Sequence, residues 1–138
     1  MVLEKYGFLI LAAFISLPVL AVDGKKSPET LMMFFRSDCP PCRQEMKIIP
    51  EIAAGHTDLA IEVISLDGVR AEQYIPGMLP GNVRSAVAGA QEQEVLQHAG
   101  NGKFVLPLSV FLDKNRRICG KHQGPLGTER VGRWVATC

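Results

Sequence analysis

The segment LMMFFRSDCPPC, residues 31–42, decides the fold of this chain. Its first five residues form a continuous apolar run, which is typical of a β-strand that is buried on both faces. Apolar residues then recur at helical spacing as far as Gly55, which predicts a helix over residues 40–54. Pro50 should bend this helix because proline lacks a backbone donor. The segment therefore joins a buried strand to a helix through a turn that contains two cysteines.

Strands and helices are also predicted to alternate along the rest of the chain. An alternating pattern predicts a second strand over residues 59–66, and Asn82 is the predicted cap of a helix over residues 82–99. A hairpin follows, with strands over residues 104–112 and 116–122, and Thr128 is the predicted cap of a last helix. This order, βαβαββα, implies an α/β fold with a mixed four-stranded sheet between helices, whose first two strands are parallel.

Length and charge restrict the class of protein. The chain has 138 residues, of which 47% are hydrophobic, so a single domain is expected. Its formal net charge is +1. Such a balance gives no sign of a nucleic acid or an anionic membrane surface as partner.

An apolar run over residues 6–22 points to export. It ends in small residues, so we predict a signal peptide over residues 1–21. The alternatives are an uncleaved membrane anchor over residues 6–22 and a buried core helix. Residues 22–30 are then a linker, and residues 31–138 form the folded domain. The four cysteines suit a location outside the cytoplasm, where disulfides can persist.

Cys39 and Cys42 are separated by two residues at the predicted turn between strand and helix. Unpaired N–H groups and the helix dipole stabilise a thiolate at a helix N-terminus, so Cys39 is the predicted nucleophile. Cys42 would resolve the mixed disulfide that Cys39 forms with a substrate. Pro40 and Pro41 suit the first helical turn, where no intrahelical donor is needed. This chemistry uses the disulfide itself and needs no metal or organic cofactor.

Other functions are open for the same cysteine pair. The pair could be a static disulfide, or one half of a zinc site completed by Cys119 and His122. A strand presents successive side chains to opposite faces, which argues against that zinc site. A metallochaperone that binds a soft ion such as Cu(I) is the main alternative of another class.

The motif CPPCRQEM, residues 39–46, resembles the active-site segment of the TlpA-like periplasmic thioredoxins, which include cytochrome c maturation reductases. The resemblance covers most of residues 28–135. It includes the strand end at Asp67 and Gly68, and the extra loop and helix before the strand that follows Pro107. Parts of the chain also resemble disulfide-handling proteins of conjugative transfer systems. The resemblance implies a thioredoxin-like fold and a periplasmic thiol–disulfide oxidoreductase.

Three further residues acquire roles from the resemblance. Pro107 matches the cis-proline that lies beside the redox cysteines and shapes the substrate groove, with an ordinary trans proline as the alternative. Leu106 would then offer its backbone to a bound peptide. Glu45 matches an acidic residue that influences the cysteines, and its alternative is an exposed helix carboxylate.

Three positions depart from the pattern of the family. Asp38 replaces the aromatic residue that usually precedes the first cysteine, and Met33 occupies the position of a buried acid in ordinary thioredoxin. Lys47 stands where a proline is usual. These changes leave the redox potential and the direction of electron flow open.

The other two cysteines, Cys119 and Cys138, could form a structural disulfide between the last strand and the C-terminal helix. A free thiol and an intermolecular link are the alternatives. The three histidines, His56, His98 and His122, are expected at the surface rather than as ligands.

The prediction that follows is a monomeric oxidoreductase that exchanges dithiol and disulfide with exported proteins. A reductase supplied by a membrane electron donor is favoured through the resemblance. An oxidase or isomerase for secreted or conjugation proteins is the alternative.

Overall fold

Five strands form a single mixed sheet in the computed structural model, which describes residues 27–138 apart from residues 101 and 104. The strand order is β3-β2-β1-β4-β5, with β1, β2 and β3 parallel and β4 antiparallel to both β1 and β5. In chain order, the elements are β1 (Thr30–Phe35), α1 (Pro40–Met46), α2 (Ile49–Gly55), β2 (Ala60–Ser65), a 3₁₀ turn (Ala71–Gln73), β3 (Val83–Val87), α3 (Ala90–Gly100), β4 (Leu108–Leu112), β5 (Ile118–Gln123) and α4 (Thr128–Thr137).

The predicted α/β class and the parallel pairing of the first two strands are confirmed, whereas the strand count is wrong by one. Residues 83–87 form the edge strand β3 and not the start of a helix. Asn82 is not a helix cap. Its side-chain amide instead lies within 3.2 Å of the carbonyl oxygens of Ala53, His56 and Leu59, where it ties the end of α2 to the start of β2.

The predicted helix over residues 40–54 is two helices, α1 and α2, with a break at Lys47 and Ile48. Ile48 donates its N–H to the carbonyl of Glu45, three residues back, so the helical bonding tightens at this point. Pro50 lies in the first turn of α2, where its missing N–H leaves no bond unmade. The predicted bend within one helix at Pro50 therefore does not occur. Instead, α1 ends and α2 begins just before this proline.

Strand β1 is buried on both faces, as its apolar run predicts. Leu31, Met33 and Phe35 face the cluster that packs beneath α1, α2 and α4. Met32 and Phe34 face a second cluster, which includes Leu96 of α3. This strand therefore fixes the central layer, and the turn that follows it carries the two cysteines.

The C-terminal helix packs on the same face as α1 and α2. Val131 of α4 is fully buried, and the ring of Trp134 lies 5.8 Å from that of Phe111. Gly120 is needed here because any side chain at this position would overlap the indole of Trp134. The predicted cap Thr128 is instead the first residue of this helix, and Gly127 occupies the cap position.

The predicted export signal over residues 1–21 and the alternative anchor over residues 6–22 lie outside the described residues. Among the helices that the structure does describe, none has the length and apolar character to cross a membrane.

Candidate functional site

Cys39 and Cys42 form a disulfide at the start of α1, with their Cα atoms 5.2 Å apart. Cys39 caps the helix, because its sulfur accepts a hydrogen bond from the backbone N–H of Cys42 at 3.3 Å. The Cys39 side chain is half-buried, whereas Cys42 has no exposed surface. An approaching sulfur can therefore reach Cys39 and not Cys42. Pro40 and Pro41 are exposed in the first turn of the helix, next to the accessible sulfur.

The turn before Cys39 is held by the carboxylate of Asp67, which lies two residues after the end of β2. Asp67 accepts hydrogen bonds from the backbone N–H of Ser37 at 2.9 Å and from its hydroxyl at 2.5 Å. Its other oxygen accepts from the hydroxyl of Ser65 at 3.0 Å and from the N–H of Val69 at 3.3 Å. The bond from the Ser37 hydroxyl is the main reason why the pKa of Asp67 is lowered to about 2. Asp67 thus fixes the backbone two residues before the reactive sulfur.

We expect Asp67→Asn to lower the free energy of unfolding by about 2 kcal/mol, since an amide nitrogen would then face donors where a carboxylate oxygen now accepts. Urea unfolding at neutral pH measures this loss. Asp58→Asn is the matched control, because Asp58 is exposed and its side chain has no hydrogen-bond partner in the described part of the chain. The control should change the free energy of unfolding by less than about 0.5 kcal/mol. Equal losses in the two variants would contradict the role assigned to Asp67.

Asp38 lies directly before Cys39 and is paired with Arg36. The guanidinium donates two hydrogen bonds to the carboxylate, of 3.0 and 3.1 Å. Hydrogen bonding to Arg36 is the main reason why the pKa of Asp38 is lowered. The pair is exposed, with 47% of the Arg36 side chain and 66% of the Asp38 side chain accessible to solvent. The positive charge of Arg36 therefore partly compensates the negative charge that Asp38 places next to Cys39.

Glu45 is buried, with 5% of its surface exposed. Its carboxylate accepts a hydrogen bond of 2.7 Å from the backbone N–H of Leu126. Burial raises the pKa of Glu45 to about 7, against the opposing effect of that bond. Because residues three apart share a helix face, Glu45 lies on the same side of α1 as the buried Cys42. The alternative of an exposed helix carboxylate is wrong.

The peptide bond between Leu106 and Pro107 is cis. Pro107 is buried and its carbonyl accepts a hydrogen bond of 2.8 Å from Gly124, two residues before the Leu126 that binds Glu45. Leu108, the next residue, pairs with Phe34 in the sheet. The cis bond therefore lies at the end of the sheet where β1 leads into the cysteine turn.

Solved structures of other proteins share this arrangement of strands and helices. StoA from Bacillus subtilis aligns over 81% of this chain and 85% of its own, with 19% identity and a TM-score of 0.57. The exposed lipoprotein thioredoxin Etrx1 from Streptococcus pneumoniae aligns over 82% and 87%, with 16% identity and a TM-score of 0.60. A thiol:disulfide interchange protein of the thioredoxin family from Chlorobium tepidum aligns over 80% and 79%, with 18% identity and a TM-score of 0.62.

The chain has the thioredoxin fold. The fold implied by the resemblance to TlpA-like proteins is thereby confirmed, with five strands in place of the predicted four. No protein-family model and no curated protein sequence matches the chain. At identities below 20%, the similarity concerns the fold, and the chemistry depends on the side chains at the site.

The positions of Met33 and Lys47 in the fold explain two of the departures from the family pattern. Met33 is buried to 2% exposure in the core beneath α1, so an apolar side chain fills the site of the missing acid. Lys47 is exposed at the break between α1 and α2, which ends the first helix without a proline.

The remaining cysteines and histidines do not assemble a metal site. Cys119 of β5 forms a disulfide with Cys138, and their Cα atoms are 6.0 Å apart. His122 has its Nε2 atom 3.1 Å from the carbonyl oxygen of Pro125. Among residues 27–100, 102, 103 and 105–138, no three His, Cys, Asp or Glu side chains are grouped as metal ligands would be. His98 is exposed, while His56 and His122 are half-buried.

Sequence reasoning did not assign a role to Asp67 or to Arg36. The signal for Asp67 is weak, although an Asp shortly after a strand is well placed to accept hydrogen bonds from a neighbouring turn. The alternation of charge in Arg36-Ser37-Asp38 was a signal for the local ion pair.

Proposed function

We propose that this protein is a monomeric thiol–disulfide oxidoreductase that reduces disulfides of exported proteins in the periplasm. The observation that carries the proposal is the position of the cysteine pair. An accessible Cys39 sulfur caps a helix directly after a central strand of a thioredoxin fold, and a fully buried Cys42 is bonded to it. The apolar run over residues 6–22 supports export, as a cleaved signal or as an anchor to the inner membrane.

Exchange begins with the dithiol form of the protein. The Cys39 thiolate attacks one sulfur of a substrate disulfide, and the other substrate sulfur leaves as a thiolate that takes up a proton. Cys42 then loses its proton and attacks the Cys39 sulfur, which releases the second substrate thiol. The substrate gains two electrons, and the protein is left with the Cys39–Cys42 disulfide. A dithiol donor at the membrane would return the pair to its reduced form by the same steps in reverse.

Glu45 suits the proton transfer in the second step. Cys42 is fully buried, so its proton needs an acceptor within the protein. A carboxyl group with a pKa of about 7 on the same helix face can accept and return a proton near neutral pH. Its negative charge, when present, also opposes thiolate formation at the cysteines, which favours a reducing pair.

The groove for the substrate would lie between the proline turn and the cis bond. Pro40 and Pro41 are exposed on one side. On the other side, Val105 is 61% exposed and Leu106 is half-buried against the core. An extended substrate segment could pair with the backbone at Leu106, as in other cases of strand addition.

Reduction of insulin disulfides by dithiothreitol tests the proposal, because an oxidoreductase accelerates the reaction and is regenerated by the dithiol. We expect catalytic amounts of the full chain to accelerate it clearly over dithiothreitol alone. The paired replacement Cys119→Ser with Cys138→Ser is the matched control, since that disulfide joins β5 to the residue after α4 and does not lie at the cysteine turn. Acceleration by neither protein would contradict the proposed function. Retention of Cu(I) after dialysis, without acceleration, would favour a metallochaperone.

A further inference from the structure

A small cleft adjoins the accessible cysteine on the side of the helix that faces the 3₁₀ turn. Its volume is about 350 Å³. One wall comes from α1 and the break that follows it, and the other comes from the end of the 3₁₀ turn. The lining residues are Pro40, Arg43, Gln44, Lys47, Gln73 and Tyr74.

The cleft is positively charged and contains no carboxylate. Arg43 and Lys47 are both exposed, and neither forms an ion pair in the described part of the chain. The guanidinium of Arg43 reaches only the carbonyl oxygen of Ser37, at 3.4 Å. Both cations are therefore free to meet an external anionic group.

The acidic side chains nearest in the chain do not neutralise these cations. Glu45 is buried and bonded to Leu126 on the other side of α1. Asp38, two residues before Pro40, is bonded to Arg36. Glu72 is bonded to Arg70 and to the hydroxyl of Ser85. Glu51 is exposed one turn after Lys47, but the two side chains are not paired.

The cleft begins one residue from the reactive sulfur. Pro40 follows Cys39 directly, and the backbone N–H of Arg43 donates to the Cys39 carbonyl at 3.1 Å. A substrate whose cysteine is bonded to Cys39 would place its neighbouring residues within reach of this cleft. Tyr74, which packs against the core, and the amides of Gln44 and Gln73 add a ring surface and hydrogen-bonding groups.

We propose that this cleft selects disulfide substrates that carry acidic residues within a few positions of the reacting cysteine. The inference rests on the proposed function and adds a class of substrate to it. Exposed charges act mainly on the rate of encounter, so the selection should show in the rate constant and weaken with salt.

Two synthetic peptide disulfides test the inference with the reduced full chain. Each is a symmetrical dimer linked through one cysteine, which is flanked by two glutamates in one peptide and by two glutamines in the other. Chromatography follows the loss of each disulfide and gives a second-order rate constant. We expect the acidic peptide to react about tenfold faster at low salt, from two exposed charge pairs. The ratio of the two rate constants should approach one as the ionic strength rises from about 0.01 M to about 1 M, where the Debye length shortens from about 30 Å to about 3 Å.

Variants of the full chain assign the effect to the cleft. With Arg43→Gln and Lys47→Gln combined, the ratio should fall to about one, and with Arg43→Lys and Lys47→Arg combined it should return. The matched control combines Lys114→Gln with Arg117→Gln, two exposed cations in the turn between β4 and β5, at the opposite end of the sheet. This control should keep the ratio of the natural chain.

Equal rates for the two peptides with the natural chain, or a ratio that the glutamine pair leaves unchanged, would overturn the inference while leaving the proposed function intact. Failure of both peptides to exchange would instead overturn the proposed function, and with it the inference.

Discussion

Replacing Cys39 with serine is expected to lower the rate of disulfide exchange by more than about a thousandfold, because the attacking sulfur is removed. Cys42 does not substitute for it, since its side chain has no exposed surface. Replacing Cys42 with serine should instead leave the attack intact and remove the release step. A mixed disulfide between Cys39 and the substrate should then accumulate, and mass spectrometry after acid quenching measures it.

The two single variants serve as controls for one another, because each removes one sulfur of the same disulfide and so costs a similar loop constraint. Accumulation of the mixed disulfide in the Cys39→Ser protein, and not in the Cys42→Ser protein, would reverse the assigned roles. Unchanged exchange in both variants would mean that the reaction does not pass through this pair.

In the natural chain, ionisation of Glu45 should lower the free energy of unfolding by about 3 kcal/mol as the pH rises from about 4.5 to about 7. Burial raises the pKa of this carboxyl above its value in the unfolded chain, so the folded state holds the extra proton within that window. Below the window both states are protonated and the penalty is absent. Above it both states are ionised, and the folded state carries a buried charge.

Glu45→Gln should abolish this pH dependence, because the amide keeps an oxygen for the Leu126 N–H and carries no charge. Urea unfolding of both proteins at several pH values between 4.5 and 8 measures the effect as their difference. Both proteins share every other ionisable group, so the contributions of those groups cancel in the difference. A difference in the free energy of unfolding that is the same at every pH would contradict the raised pKa of Glu45.

The cysteine turn and the strand before it could be predicted because their signals are local. The apolar run of residues 31–35 and the CPPC spacing each determine structure within a few residues. The structure accordingly places Cys39 at a helix start and buries β1 on both faces.

Strand β3 could not be predicted, because the contacts that select it are distant in sequence. Ser85 is buried and bonded to Glu72 and to the N–H of Ala71, while Arg70 donates to its carbonyl. Without those partners, residues 83–87 are compatible with a helix that begins at Asn82. Buried and exposed residues alternate clearly only over residues 83–85, which is too short a stretch to distinguish the strand period from the helix period.

The burial of Glu45 and the role of Asp67 could not be predicted either, because their partners are also distant in sequence. Glu45 is 81 positions from its partner Leu126, and Asp67 is 30 positions from Ser37. Only the folded chain brings each pair together. These two carboxylates are the parts of the candidate site that depend most on the tertiary structure.

The central claim is tested most directly by the reduction potential of the Cys39–Cys42 pair in the full chain. Cys119 and Cys138 are replaced with serine so that a single disulfide responds. The protein is equilibrated against dithiothreitol or glutathione buffers, and the fraction of free thiols is measured after alkylation. A reductase predicts a potential near or below about −270 mV, which is typical of thioredoxin. A value near −120 mV would contradict the reducing direction, and a pair that does not equilibrate with either buffer would contradict the redox function itself.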